Sequence, residues 1–277
     1  MKLLKHIVLW IALTTNTGLC AGELTEELAE QLLQSHSNNQ RVPLVSSIYP
    51  DLSVEQAYLV QSYYVKKHLA GAPPAGFKAG LTSAAGQKKF NLNQALAGVL
   101  FTSGDLSAVP SIELSQFKHL MLETEFGFEI GKTITGLVAN QAQLRPHIKA
   151  VFPVIELPDL GFASKPTGVD IIAANVGSAA FIKGKPITLF ADLDLNALKV
   201  TLTKEGKTVN IGQGSDALGN QWEAALWLVN TMVAQGWILE PGQFFITGAM
   251  GKMIKAKPGD YHADFGELGS ISFSIVP

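Results

Sequence analysis

Apolar residues recur at Leu24, Leu28 and Leu32 within an acidic stretch, the spacing of one face of an amphipathic helix. A second stripe follows at Val54, Tyr58, Gln61, Val65 and Leu69. Ser53-Val-Glu-Gln56 before it has the form of a capping box, in which Ser53 accepts from the backbone three residues on and Gln56 reaches back. Gly71 and Pro73-Pro74 terminate that helix, and Pro43 and Pro50 bracket the loop that leads into it. The pattern predicts helix to about residue 71. Beyond Gly76 the period changes. Short apolar runs alternate with Gly, Asn, Asp and Pro, as in Ile171-Ile-Ala-Ala-Asn175, Ala180-Phe-Ile-Lys183 and Phe244-Phe-Ile-Thr-Gly248, and these read as strands and turns. Lys199 to Val209 reads as a hairpin turning near Glu205-Gly206, and Trp222 to Gln235 as a helix whose apolar stripe is Trp222, Leu226, Val229 and Val233. No internal repeat or low-complexity linker interrupts this order.

With 277 residues, 47% of them hydrophobic, the chain can bury a large core. The net charge of −2 and the 16% of charged residues give no basic stripe for a nucleic acid. The first residues stand apart. Met1-Lys-Leu-Leu-Lys5 is basic, Ile7 to Leu13 is wholly apolar, and Thr14 to Gly22 is small and polar, the order of a secretory leader cut near Ala21 or Gly22. The apolar run is too short to span a bilayer, so no stable membrane insertion is expected after cleavage. Cys20 is the single cysteine, and cleavage after it leaves neither disulfide, nor thiol catalysis, nor a zinc–thiolate site. A periplasmic or secreted protein is the reading, with a cytoplasmic one as the alternative.

Within this frame three acids stand out. Glu123 and Glu125 alternate with Thr124 and Phe126, so in a strand they share one face ~7 Å apart along the chain, while Phe126, Phe128 and Ile130 take the other. Glu156 lies inside the apolar run Val151 to Leu157. Unpaired charge among core residues is expensive. Carboxylates without histidine or cysteine suit a hard cation, Mg²⁺ or Mn²⁺ rather than zinc. The same spacing also occurs on solvated strand faces, and a core acid can be salt-bridged, so both readings stay open. Glu129 shares the face farther along and reads as surface.

Lys78, flanked by Gly76 and Gly80, would counter the glutamates or move a proton, or else snorkel at a strand edge. Thr247-Gly248 ends a strand with a hydroxyl and free amides of the kind that grip carboxylates, or simply turns. The histidines lack ligand spacing and read as surface. Gly212-Gln-Gly214 is no dinucleotide fingerprint, and Asp260 reads as a turn residue.

Gly76-Phe-Lys-Ala-Gly-Leu-Thr-Ser83, Glu123-Thr-Glu125, Ile155-Glu-Leu-Pro-Asp159, Ala174-Asn175, Trp227-Leu-Val-Asn230, Leu239 to Ala249 and Pro258-Gly-Asp260 occur in the order of the fumarylacetoacetate hydrolase superfamily. The chain resembles its 2-keto-4-pentenoate hydratase and 4-oxalocrotonate decarboxylase branch from about Leu52 to the end. That resemblance implies an α+β fold, a mixed β-sandwich roll over residues 76–277 behind a helical lobe at 23–75; the leader at 1–22 comes from the N-terminal pattern and not from the resemblance. It implies Glu123, Glu125 and Glu156 as ligands of Mg²⁺ or Mn²⁺, Lys78 and Asp159 as catalytic residues, and Ser83, Asn175, Thr247 and Gly248 as substrate-binding. It also implies a homo-oligomer that hydrates a small 2-hydroxydienoate or 2-oxo acid. Decarboxylation, C–C hydrolysis and non-catalytic dicarboxylate binding are the alternatives. In two places the chain departs from the pattern. Ala174-Asn175 stands where the hydratases carry Asp-Asn, and Gly219-Asn220-Gln221 where they carry Gly-His-Pro.

Overall fold

The helical opening forms as its periodicity predicts. In the computed structural model, which describes residues 21–188 and 193–277, α1 (Ala21–Ser37), the short α2 (Val45–Ile48) and α3 (Val54–Leu69) precede every strand. The expected leader at 1–22 lies outside the described residues apart from Ala21 and Gly22, which begin α1. The capping box is present: Gln56 N–H donates to Ser53 Oγ at 3.2 Å, and Ser53 N–H donates to Gln56 Oε1 at 2.8 Å. Leu28 and Leu32 are buried, and α1 and α3 join the same apolar core as the strands. Polar contacts fasten this lobe to the β-rich body. Gln61, itself buried, donates to the carbonyls of Ala97 and Ile172 at 3.0 Å each, and the Ser46 hydroxyl donates to Asp170 at 2.8 Å.

The rest of the chain is β1 (Gly76–Gly80), α4 (Ala84–Lys89), β2 (Leu96–Leu100), β3 (Ile112–Glu113), β4 (Met121–Ile130), α5 (Gln141–Leu144) and β5 (Ile148–Leu157). Then come α6 (Gly168–Ala173), β6 (Ala180–Lys183), β7 (Ile187–Thr188), β8 (Lys199–Lys204), β9 (Lys207–Gln213) and α7 (Gln221–Ala234). β10 (Phe244–Ile246), β11 (Met250–Lys255), β12 (Gly259–Asp264) and β13 (Ser270–Val276) end the chain. Among the described residues these strands make two sheets. The larger, of eight strands, runs β2-β1-β10-β4-β5-β6, with β11 also on β4 and β7 also on β5; the smaller, of five, runs β3-β13-β12-β8-β9. This is the expected α+β architecture with its helices at the front.

One face of the large sheet is mostly apolar. Phe77, Phe126, Phe128 and Phe245 are buried there with Trp222, Leu228 and Met232 of α7. Phe128 stacks on Phe245 at 5.1 Å and meets Trp222 edge-on at 5.2 Å, an offset that suits the ring quadrupoles. The opposite face carries a smaller apolar cluster of Leu100, Phe152, Val154, Phe181, Phe244 and Ile246. That second face also holds the acids.

Two local expectations are refined. α7 is rolled slightly from the predicted stripe: Ala225, Leu228, Val229 and Met232 are buried, while Leu226 and Val233 are only partly so. The hairpin turns at Glu205 and Gly206, both with positive φ, as expected. Asp260, read as a turn residue, instead lies in β12. Its N–H donates to Glu205 Oε1 at 2.8 Å and its carboxylate accepts from the Ser274 hydroxyl at 2.6 Å, so cross-strand bonding draws it into the sheet.

Candidate metal centre

β4 and β5 pair antiparallel with Glu123 opposite Glu156 and Glu125 opposite Val154. Alternation then puts all three carboxylates on one face, while Thr124 turns away to donate to the Met250 carbonyl at 3.0 Å. β1 arrives from the other side of the sheet through parallel pairing with β10, Lys78 standing in register with Ile246. Phe77 and Ala79 enter the main core, so Lys78 emerges on the acid face, 2% exposed. One ligand oxygen each from Glu123, Glu125 and Glu156 lies within 4.8 Å of the others. No histidine or cysteine joins this group among the described residues.

The partners of these groups are few. Lys78 Nζ donates to Glu156 Oε1 and, at 3.0 Å, to the Val176 carbonyl. The Gly248 N–H donates to Glu125 Oε2 at 2.6 Å. Glu125 Oε1 and Glu156 Oε2 are buried with no hydrogen-bond partner. Buried carboxylate oxygens left bare cost several kcal/mol unless something pairs them.

Electrostatics agrees. Burial of the carboxyl, then the charge of Glu156, pushes Glu123 up to about 8 against the pull of Lys78. Glu125 is held well above the usual carboxylate range by burial first, then by Glu156 and Glu123. For Lys78 burial works against the ammonium, but Glu156, Glu123 and Glu125 outweigh it and hold its pKa above the ordinary lysine value. Once deprotonated, three carboxylates against one ammonium leave two negative charges unbalanced, the charge of one divalent cation. Oxygen-only donors, bare buried ligand atoms and that charge deficit all fit a hard ion such as Mg²⁺ or Mn²⁺.

No family model matches the chain. A 2-keto-4-pentenoate hydratase of Paraburkholderia phymatum is 33% identical over 260 residues, which cover 90% of this chain and 97% of the relative. The chain belongs to the 2-keto-4-pentenoate hydratase family. A 4-oxalocrotonate decarboxylase of Pseudomonas sp. is 29% identical over 84% of this chain and 89% of its own length. A solved 4-oxalocrotonate decarboxylase from Pseudomonas putida G7, complexed with magnesium and adipate, superposes with a TM-score of 0.84 at 25% identity, covering 92% of this chain and 98% of that one.

The other residues expected from this hydratase family are distributed unevenly. Gly248 reaches the carboxylates, with its N–H spent on Glu125. Thr247 is fully buried but turned to the opposite face, its hydroxyl donating to Gln221 Oε1 at 2.5 Å. Asn175 is also buried, and its side-chain amide is used twice on the backbone of Val99, at 2.8 Å in each direction. Asn175 and Val176 both have positive φ, of 53° and 55°, a strained choice for a β-branched residue. The Asn175 clamp and the Lys78 contact together hold that turn and deliver the Val176 carbonyl to the lysine.

Ser83 and Asp159 make no hydrogen bond to the three acids. Ser83 is exposed and caps α4, accepting from the Gly86 N–H at 3.1 Å. Asp159 accepts from the backbone N–H groups of Lys118 and His119 at 2.8 and 2.6 Å. It borders a recess of about 300 Å³ between α1 and the body, which Ala174, His36 and Tyr64 also line and which none of the three glutamates touches. His36 and His68 meet edge to face at 4.8 Å, and His68 packs on Phe101 at 4.0 Å, so this pair is bound up with the lobe rather than with the carboxylates. Sequence reasoning missed Gln221 and the Val176 carbonyl. An amide in the first turn, directly before the apolar stripe of α7, was the available signal for Gln221.

Proposed function

We propose that this protein is a metal-dependent hydratase of a small 2-hydroxydienoate or 2-oxo acid, with Glu123, Glu125 and Glu156 holding Mg²⁺ or Mn²⁺. The observation that carries the reading is the pair of bare, buried oxygens, Glu125 Oε1 and Glu156 Oε2, in a cluster short of two positive charges. Membership of the hydratase family supports the reaction class. When bound, the cation supplies a Lewis acid for the 2-oxo and carboxylate oxygens of the substrate and lowers the cost of the enolate.

The chain's own residues do the rest. Lys78 is held protonated, with one N–H on Glu156 and one on the Val176 carbonyl, which leaves one N–H for a substrate oxygen or for proton transfer. Val154, Ile246 and Phe181, the register partners of Glu125, Lys78 and Glu156, keep water away from the floor of the site. Ketonisation of the dienol puts a proton on its terminal carbon. Water then adds across the conjugated double bond, oxygen at C4 and hydrogen at C3, to give a 4-hydroxy-2-oxo acid. Asp159, Asn175 and Thr247 act by holding loops and turns, and the Gly248 N–H by fixing Glu125.

The test is purified protein with Mg²⁺ and 2-hydroxypenta-2,4-dienoate, followed by loss of dienol absorbance. No turnover on it or on its carboxylated homologues, alongside Mg²⁺-dependent oxalate binding, replaces the hydratase with a non-catalytic dicarboxylate-binding protein. Decarboxylation is the second reading, favoured by the close superposition on a 4-oxalocrotonate decarboxylase. It draws on the same enolate charge and is read by release of CO₂. The basic start and the apolar run at Ile7 to Leu13 support export to the periplasm or medium. An intact N-terminus on cytoplasmic protein would overturn that. No helix of the described residues is long and apolar enough to cross a membrane.

A further inference from the structure

Gln221 opens α7 in the stretch that reads Gly219-Asn220-Gln221 instead of Gly-His-Pro, and it is wholly buried. A buried amide must find partners at both ends. Its Nε2 donates to the Gly214 carbonyl at 2.7 Å, and its backbone N–H donates to Asn196 Oδ1 at 2.8 Å. A carbonyl only accepts, so the Gly214 contact decides which end of the side chain is nitrogen. Oε1 therefore faces Thr247, whose hydroxyl donates to it at 2.5 Å. The next residue, Gly248, gives its N–H to Glu125 Oε2 at 2.6 Å. That turn is specific to glycine: φ is 111°, and a Cβ would lie 2.4 Å from Thr82.

We infer that Gln221 is a positioning residue for the metal centre. It pins Thr247, and Thr247 sets the turn whose amide fixes Glu125 Oε2 and leaves Oε1 as the ligand atom. Asn220 steadies the relay by capping α7 through the N–H groups of Trp222 and Glu223. A proline at position 221 has no side-chain amide to offer, so the relay arises from the departure itself. Partners behind a metal ligand orient it and set its affinity for the ion. The inference rests on the proposed metal site and assigns the second layer of that site.

The experiment is Mn²⁺ titration read by electron paramagnetic resonance, beside thermal melting of the metal-free protein. Gln221→Met and Thr247→Val should each weaken Mn²⁺ binding roughly 10- to 100-fold, the range for outer partners of a metal ligand. Thr247→Ser keeps the hydroxyl and should stay within about threefold of wild type. The double variant Gln221→Met/Thr247→Val should lose no more than the worse single change, because both cut one link. Thr247→Val leaves the Gln221 bond to Gly214 intact, so it reports even where Gln221→Met melts. Wild-type protein that takes no Mn²⁺ sinks the metal reading and the relay with it. Wild type and folded Thr247→Val binding Mn²⁺ equally well sinks the relay alone.

Discussion

Glu125 and Glu129 stand on the same face of β4 with Gly127 between them, and they have become different kinds of acid. Glu129 lies beside Ala150 and Phe244 in the register and pairs with Lys149 at 2.7 Å, near solvent. Glu125 lies beside Val154, is fully buried, and has one oxygen on a backbone amide and one on nothing. Gly127 marks the divide. A Cβ there would sit 2.5 Å from the Phe152 ring and 2.8 Å from Val154, so only glycine admits the apolar plug that separates the two ends. Alternation along the strand assigns the face. The neighbours across the register assign the dielectric, and with it whether a carboxylate is a surface ion or a ligand awaiting a cation.

The largest effect should come from breaking the buried end. Glu125→Gln should weaken Mn²⁺ binding by ~100-fold or more, at or beyond the upper range of second-layer changes, since it removes a ligand charge outright. The metal-free protein should melt no lower, because a neutral amide stands in for a carboxyl that burial already holds protonated. Glu129→Gln should leave Mn²⁺ affinity unchanged. Equal affinities for the two variants, measured by the same titration, would erase the distinction between the ends.

A pH series sharpens the same contrast without mutation. Glu123 is raised to about 8 from an ordinary 4.5 by burial and by Glu156, and Glu125 is raised as well. The metal-free native state therefore keeps protons that the unfolded chain has released. Its extra stability is fully present below about 4.5 and is lost as pH rises through about 8. With EDTA, melting temperature should fall across that window. The gain on adding Mg²⁺ should grow with pH, because the ion competes with those protons. A flat melting profile in EDTA between pH 5 and 8 would contradict the buried acid cluster.

Much of the molecule was legible along the chain because it is local. Period-two alternation placed Glu123 and Glu125 together, the capping box fixed the start of α3, and Glu129 could be read as surface from its distance along the strand. What pairs across the sheet was not legible. Glu156 meets Glu123, and Lys78 meets Glu156, only through the β4–β5 register and the parallel β1–β10 pairing. Pairing between distant segments is set by the packed face, not by any single segment. The direction of Thr247 was a missed inference of the readable kind. Phe244 and Ile246 share the acid face, so Phe245 and Thr247 point to α7, and the hydroxyl serves Gln221 rather than a ligand. Asp159 and Ser83 were carried by the family pattern. Their side chains here are taken up by backbone amides of nearby loops and a helix cap.

The smallest effect belongs to the solvated end. Lys149 is 67% exposed and its partner Glu129 19% exposed, so the lysine end of the 2.7 Å contact is open to water and mobile salt. Ordering a long lysine side chain offsets most of the Coulomb gain in such a pair, and measured exposed pairs give ~0.2–1 kcal/mol. Lys149→Met should therefore shift stability by less than about 1 kcal/mol, and the shift should shrink further at high salt, where the screening length falls to about 3 Å. Denaturant titration at low and high salt measures both. A larger loss that salt leaves unchanged would mean that Glu129 is electrostatically enclosed like Glu125. The two ends of the strand would then differ by their partners rather than by their exposure to water.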